Sequence, residues 1–335
     1  MSRRLLAVFA LCTMLLGSLA LVACQRRVEV RDIVLSEVIH SIFFAPQYVA
    51  LHKGFFMDEG LNVRLEVAGG ADRGAAALLS GSAHIALFGT EAAIYTFKQG
   101  AANPIVAFAQ LTQRDGSFLV GRNADPDFTW EDVRGKTIIG GRRGGVPQMV
   151  LEHILRRHNI TPQVDVTIIQ NIGLGATAAA FREGTGDFVQ LWEPTASTLI
   201  AAGTGNIVTA LGEYSGKLPY TVFHATQSFI KENPAVLEQF TRAIYRAQRY
   251  VAENEAEVVA RAIAPSFPEM TLEQMTAIIA RYQALDIWAA SPLVQSEAVD
   301  HLQNIMIEAG ELDTKVPFTQ VVNNTFAERA MRARR

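Results

Sequence analysis

The sequence predicts an α/β protein, because short apolar runs alternate with helical stretches and glycine or proline marks the joints. Residues 28–35 alternate loosely and read as a first strand. Residues 43–53 have helical spacing, with Phe44, Tyr48 and Leu51 near one face, and Gly54 ends them. An alternating strand over 61–67 and an Ala/Leu-rich helix over 72–79, stopped by Ser80-Gly81, come next. A buried strand over 85–88 and a helix over 91–98 follow. This repetition calls for a largely parallel sheet with helices on its faces.

A second block of the same kind starts near Phe118. A strand over 136–140 runs into the glycine-rich turn Gly140-Gly141-Arg142-Arg143-Gly144-Gly145, and Pro147 suits the first turn of a helix reaching about residue 158. Further strands are predicted over 164–170 and 188–192, with a short helix over 176–182. The apolar run 221–225 would return the chain to the first block. Beyond Lys231 the pattern is mostly helical, including 234–252 and 271–285.

The first residues have their own logic. Arg3 and Arg4 precede an apolar run from Leu5 to Ala23, which ends in Leu21-Val22-Ala23-Cys24. A positive start, an apolar middle and small residues before a cleavage point make a secretory signal. A retained membrane anchor is the simpler competitor. The tetrapeptide resembles the bacterial lipobox, which implies lipidation of Cys24 as the first residue of the mature chain. Gln25, where Asp resembles an inner-membrane retention signal, leaves an outer-membrane destination open. Cleavage would leave about 312 of the 335 residues, ample for two domains, and takes the formal charge from −3 to −5 with Arg3 and Arg4 lost. Cys12 would go too, so disulfides, thiol catalysis and cysteine-rich metal sites are excluded from that mature chain. The absence of a basic block argues against a nucleic-acid partner.

Several stretches, in order, resemble the substrate-binding proteins of ABC importers, in the group covering nitrate, sulfonate, taurine and thiamine-pyrimidine-precursor binders. They are Ala45-Pro46-Gln47-Tyr48-Val49-Ala50, Lys53-Gly54-Phe55-Phe56 and Glu59-Gly60-Leu61-Asn62-Val63. Leu79-Ser80-Gly81-Ser82-Ala83-His84-Ile85-Ala86 and Val133-Arg134-Gly135-Lys136-Thr137-Ile138 complete the set. The resemblance implies a two-lobed periplasmic-binding-protein fold of type II. Each lobe would be a mixed sheet flanked by helices, with lobe I at 28–118 and 221–335, lobe II at 119–220, and residues 24–27 as a tether. It also implies a small-molecule ligand, a permease with its ATPase as partner, no cofactor, and a monomer outside the cytoplasm. One branch resembles thiamine pyrimidine synthase, an enzyme on the same fold. Phe88 stands where that pattern has a lysine, and the mature chain lacks its cysteine-rich stretch, so both departures argue against the enzyme.

Closure of two lobes would place the ligand at the strand ends, where loops and helix starts converge. His40, Phe44 and Tyr48, between the first strand and helix, offer faces for a flat heterocycle; packing beneath the helix is the alternative. Thr90 and Glu91 open the helix after the strand at 85–88, where capping and the helix dipole alone could explain them. Ser117 sits at the first crossing, Asn171 at the end of strand 164–170, and Tyr220 at the return crossing. The glycine-rich turn is the sharper signal. Gly144 and Gly145 allow close backbone approach, and Arg142 or Arg143 could pair with a carboxylate or phosphate. It lacks the phosphate-loop and dinucleotide spacings, so nucleotide binding is rejected. Trp192 could wall an aromatic clamp with Glu193 accepting from N–H groups. No nucleophile turn, triad or HExxH pattern is present. The expectation is therefore capture without bond chemistry, with an anion binder and a ligand sensor as further alternatives.

Overall fold

The computed structural model describes residues 30–333; the predicted leader, the tether and Cys24 lie outside them. The first lobe runs β1 (Arg31–Glu37), a single 3-10 turn (Ile42–Phe44), α1 (Ala45–His52), α2 (Phe55–Asp58), β2 (Leu61–Val67), α3 (Ala71–Ser80), β3 (Ile85–Phe88), α4 (Glu91–Lys98) and β4 (Ile105–Thr112). The second holds β5 (Phe118–Gly121), β6 (Thr137–Ile139), α5 (Val146–Arg157), β7 (Thr167–Ile169), α6 (Thr177–Arg182), β8 (Phe188–Leu191), α7 (Thr195–Ala201) and β9 (Asn206–Ala210). β10 (Thr221–Thr226) then rejoins the first lobe. It is followed by α8 (Gln227–Glu232), α9 (Pro234–Glu253), α10 (Ala256–Ile263), α11 (Leu272–Ala284), α12 (Ser296–Glu308), α13 (Phe318–Val321) and α14 (Thr325–Arg332).

Each lobe is built on a five-stranded mixed sheet, in the orders β2-β1-β3-β10-β4 and β7-β6-β8-β5-β9. β1 and β3 are parallel, with Leu35 opposite Ile85, whereas β10 runs antiparallel to both β3 and β4. In lobe II, β6 is parallel to β7 and β8, and β5 is antiparallel to β8 and β9. Each inter-lobe crossing thus delivers the strand that opposes its neighbours.

β3, β4, β5 and β10 are buried along their full length, as continuous apolar runs require. β4 lies at a sheet edge, yet its backbone is met by Asn323 on Ala107 (2.8 Å), Ala289 on Leu111 (3.0 Å) and Pro292 on Gln110 (2.8 Å). The carboxy-terminal segments therefore cover an edge that would otherwise offer unpaired groups. α9, of 20 residues with Pro234 at its start, lays Phe240 among Phe56, Phe223 and Phe108 at ring separations of 4.9, 4.9 and 5.9 Å.

The crossings occupy 113–117 and 211–220 and run side by side. The Leu218 N–H donates to the Gln113 carbonyl (3.1 Å) and the Leu211 N–H to that of Ser117 (3.0 Å). Gly212 permits this approach, since a Cβ there would stand 2.4 Å from the Asp115 carbonyl oxygen. Phe118 thus heads the lobe II sheet rather than closing lobe I.

Of the expected elements two differ most, while β4, β9 and α7 have no counterpart in the sequence reading. The strand expected over 164–170 shrinks to Thr167–Ile169 because Asp165 closes a turn, donating its N–H to the Thr161 carbonyl (2.8 Å) and accepting the Thr161 N–H on Oδ2 (2.7 Å). Val164 is left exposed on it. The helix expected over 43–53 starts instead as the 3-10 turn, capped by Ser41 accepting the Phe43 N–H, before α1 takes over at Ala45. Among the described residues no helix is long and apolar enough to cross a membrane.

Candidate functional site

A cavity of about 480 Å³ lies between the lobes. Lobe I supplies Val38 and Ile39 after β1, Phe43 and Phe44 of the 3-10 turn, the start of α3, and Glu91, Tyr95 and Gln99 from α4. Lobe II supplies Arg142 to Pro147, Leu174 and Trp192, and the second crossing supplies Tyr220. Phe43 can lie against the first crossing only because Gly116 has no side chain; a Cβ there would fall 2.2 Å from the Phe43 ring.

The lobes meet around the rim. Arg142 pairs with Asp72 (3.3 Å) and Arg143 with Glu311 (3.3 Å). The Tyr95 hydroxyl donates to the Gly144 carbonyl (2.9 Å), and the Val146 N–H reaches Glu91 Oε1 (3.4 Å). Gly144 adopts φ 80°, where an L side chain is strained, so the loop's shape depends on glycine at that point.

Glu91 is the chemical centre of the cavity. It opens α4 directly after Gly89-Thr90, and its carboxylate folds back over Gly89, where a Cβ would stand 2.0 Å from Oε2. Burial pushes its pKa up to about 7, against backbone N–H groups of Glu91, Val146 and Ala92 that favour the anion. Oε2 is buried and has no hydrogen-bond partner among the described residues. Tyr220 stands nearby. Its buried hydroxyl faces Asp115 without a hydrogen bond of good geometry, and burial, then Asp115 and Glu91, hold its pKa well above the usual phenol value. Burial likewise raises Asp115 to about 6.

Of the residues picked out from sequence, Phe44, Glu91, Arg142, Arg143, Gly144, Gly145, Trp192 and Tyr220 line the cavity. The other six do not. Tyr48 is fully buried and donates to Glu37 Oε2 (2.8 Å), which also accepts from Gln47 Nε2 (2.7 Å). His40 joins that cluster through Glu37 Oε1 (2.8 Å), meets the Ser266 carbonyl (2.8 Å) and stacks on Phe267. The Glu37 hydrogen bond raises its pKa foremost. Thr90 donates to the Pro219 carbonyl (3.1 Å), tying α4 to the second crossing. Ser117 accepts from Gln190 Nε2 (2.9 Å), and Asn171 is exposed. Glu193 is buried and satisfied: Arg281 pairs with Oε1, and the Ser197 N–H donates to Oε2 (2.9 Å) at the start of α7. Its role is to cap and cross-link.

Sequence reasoning passed over Asp72, Tyr95 and Leu174; it named Phe43 but expected Phe43 and Phe44 not to face the pocket together, because adjacent helix positions diverge by about 100°, whereas both line the cavity from the 3-10 turn. Tyr95 had a usable signal, since it lies one helical turn after Glu91 and so shares its face. Asp72 and Leu174 come from loops and helix starts distant in sequence, and carry no local mark. Among the described residues no cluster of three or more His, Cys, Asp or Glu is placed to hold a metal ion.

Comparison with known proteins gives concordant results. YtlA of Bacillus subtilis (strain 168), a candidate binding protein by name, is 43% identical over 310 residues, covering 92% of this chain and 93% of that one. The alkanesulfonate-binding protein SsuA of Xanthomonas axonopodis pv. citri, solved with MOPS, superposes with a TM-score of 0.70 at 15% identity, over 88% of this chain and 98% of its own. The nitrate-binding protein NrtA of Synechocystis PCC 6803 superposes with a TM-score of 0.70 at 18% identity, over 91% and 89%. At such identities these two establish the periplasmic-binding-protein fold alone. The model of the family described as NMT1/THI5 like matches residues 42–258, and with the relative above it shows that this chain is a member of the NMT1/THI5-like family.

Proposed function

We propose that the protein is the extracytoplasmic solute-binding component of an ABC importer, holding a small molecule between its lobes and passing it unchanged to a permease. The observation that carries this reading is the cavity enclosed between two lobes that touch at its rim and are joined by two adjacent crossings. Such a geometry can open by rotation about the crossings, and a ligand that touches both walls favours the shut form by its differential affinity. The names of YtlA, SsuA and NrtA support binding rather than catalysis as the activity.

The ligand on this reading is a flat nitrogen heterocycle, of which a pyrimidine is the simplest. Phe44 from lobe I and Trp192 from lobe II supply aromatic surface. The Leu21-Val22-Ala23-Cys24 sequence supports attachment outside the cytoplasm through lipid on Cys24, and a monomer is what the family resemblance implies. Native mass spectrometry of the purified protein tests the central claim: an intact small molecule should be retained, and adding it back to stripped protein should lower the radius of gyration in solution scattering. Recovery of a chemically altered product, or a scattering profile indifferent to every tight binder, would overturn it. Cys24→Ala tests the anchor, and should abolish lipid attachment, read as loss of the lipid mass in intact-protein mass spectrometry.

A further inference from the structure

Behind the glycine-rich loop, Gln148, Glu152 and Arg156 stand one turn apart along a single face of α5. Gln148 Oε1 accepts the Gly144 N–H (3.0 Å), and Gln148 Nε2 donates to Glu152 Oε1 (2.6 Å). Glu152 Oε1 also accepts from Gln170 Nε2 (2.7 Å), and the Gln170 carbonyl takes the Arg143 N–H (3.4 Å). Arg156 donates to the other carboxylate oxygen, Oε2 (2.9 Å). Gln148 and Glu152 are both buried, yet neither lines the cavity. Further loop N–H groups are spent inside the protein, that of Gly141 on Gln190 Oε1 (3.2 Å) and that of Gly145 on the Arg142 carbonyl (3.1 Å).

We infer that Gln148 and Glu152 are positioning residues for closure: they hold the Gly144 carbonyl where Tyr95 of lobe I donates to it (2.9 Å), and so set the contact by which the glycine-rich loop shuts over the cavity. This rests on the capture reading above and names the residues that govern its closing step. The order of donors and acceptors is forced. A carboxylate only accepts, so Glu152 draws the amide nitrogen of Gln148 toward itself and leaves the amide oxygen for Gly144. Glutamate suits this third helical position as well as glutamine does, and would accept the Gly144 N–H equally. It would also face Glu152 as a like charge in a buried place, so only the amide links the two. Gly144, at φ 80°, has no side chain to brace it, and glycine leaves the backbone free to turn. Its direction therefore comes from what holds its own N–H and that of Gly145, which shares a peptide plane with the Gly144 carbonyl.

Hydrogen–deuterium exchange mass spectrometry of the full chain tests this, following the peptide over 140–146 and, as a control, the rest of α5. Gln148→Glu sets two carboxylates face to face and should speed exchange of the loop about fivefold, the worth of one hydrogen bond. Tyr95→Phe, in the other lobe, should speed it by a similar factor. The two together should be no faster than the faster single variant, because both remove the same contact. Adding Glu152→Gln to Gln148→Glu again sets a donor against an acceptor, and should return the loop to within about twofold of wild type. Should Gln148→Glu fail to fold, Gln148→Met makes the same comparison with Tyr95→Phe without adding a charge. A merely structural role predicts a different pattern: faster exchange along all of α5, and an effect that adds to that of Tyr95→Phe. That pattern, or no recovery in the exchanged pair, would overturn the inference. No cargo enters the readout, so failure to retain any small molecule would sink the capture reading separately, while the exchange data decide the role of Gln148 and Glu152.

Discussion

Glu91 and Glu193 occupy matching places in the two lobes, yet their surroundings are opposite. Each follows a buried strand and stands at or beside the start of a helix, β3 into α4 in lobe I and β8 into α7 in lobe II. Each is almost wholly buried. Glu193 is surrounded by partners: Arg281 from α11, and both the N–H and the hydroxyl of Ser197, each at 2.9 Å. Glu91 has backbone N–H groups on one side and an unmatched oxygen on the other. The lesson is that burial alone does not mark a binding residue. The balance of donors and acceptors is what separates these two carboxylates, and that balance is set by elements far away in sequence.

The sharpest way to break the contrast is to remove each carboxylate from the unliganded protein. Glu193→Ala strands the Arg281 guanidinium and undoes the start of α7. Breaking a buried pair typically costs about 3–5 kcal/mol. Arg281 is about a third exposed, so the lower end, about 3 kcal/mol, is expected in urea unfolding. Glu91→Gln strands nothing and should be neutral or stabilising. If the two variants destabilise equally, the two carboxylates do the same job and the comparison collapses.

A second experiment follows stability against pH. The folded pKa of Glu91, about 7, lies above its ordinary 4.5. Between those values the folded state binds more protons than the unfolded state. Stability from this group is therefore fully present below about pH 4.5 and is lost as pH rises through about 7. The shift corresponds to roughly 3 kcal/mol, reduced to about 2 kcal/mol by water entering an open cavity. Wild type minus Glu91→Gln should show a slope in that window and none above pH 8. Taking the difference removes Asp115 and Glu193, whose pKa values burial also raises. It also removes His224, fully buried and stacked on Phe88, whose pKa falls to about 3 and whose slope has the opposite sign. A flat difference would mean that Glu91 is solvated in solution.

The same contrast explains what could be read from the sequence. The strand–helix alternation marked β2, β3 and α4 with the bounds observed: β2 and α4 by local periodicity, and β3 as a short apolar run closed off by Gly89-Thr90. β4 escaped notice although it is the longest strand among the described residues: a continuous apolar run has no period, and its partners, β10 and carboxy-terminal segments, lie about 110 residues or more away. At the site, residues on the glycine-rich turn and at strand ends were found by their type. Whether such a residue faces ligand or protein was beyond sequence. Tyr48 and His40 look like an aromatic wall, and only the placement of Glu37 and Ser266 turns them into a structural cluster.

Trp192, next to Glu193, sharpens the comparison further, because one neighbour faces the cavity and the other the protein. Trp192→Ala should weaken heterocycle binding about tenfold, the sum of an aromatic contact and lost apolar area. Glu193→Gln should leave affinity within about twofold while lowering the melting temperature. Titration and melting on the same samples separate the two effects. Unchanged affinity in Trp192→Ala would remove the aromatic wall from the account.

The smallest effect concerns the rim. Arg143 is four-fifths exposed while its partner Glu311 is mostly covered, so the pair is screened and contributes little to global stability. Arg143→Ser should change unfolding free energy by less than about 0.5 kcal/mol. Its ion pair joins the lobes across the cavity rim, however, and on the capture reading would break when they open. Losing it should raise the ligand dissociation rate about twofold at low salt, with the difference vanishing near 0.5 M salt as the charges are screened. Stopped-flow measurements across a salt series read both quantities. A dissociation rate equal to wild type at every salt concentration would mean that the glycine-rich loop closes on its Tyr95–Gly144 hydrogen bond without help from charge.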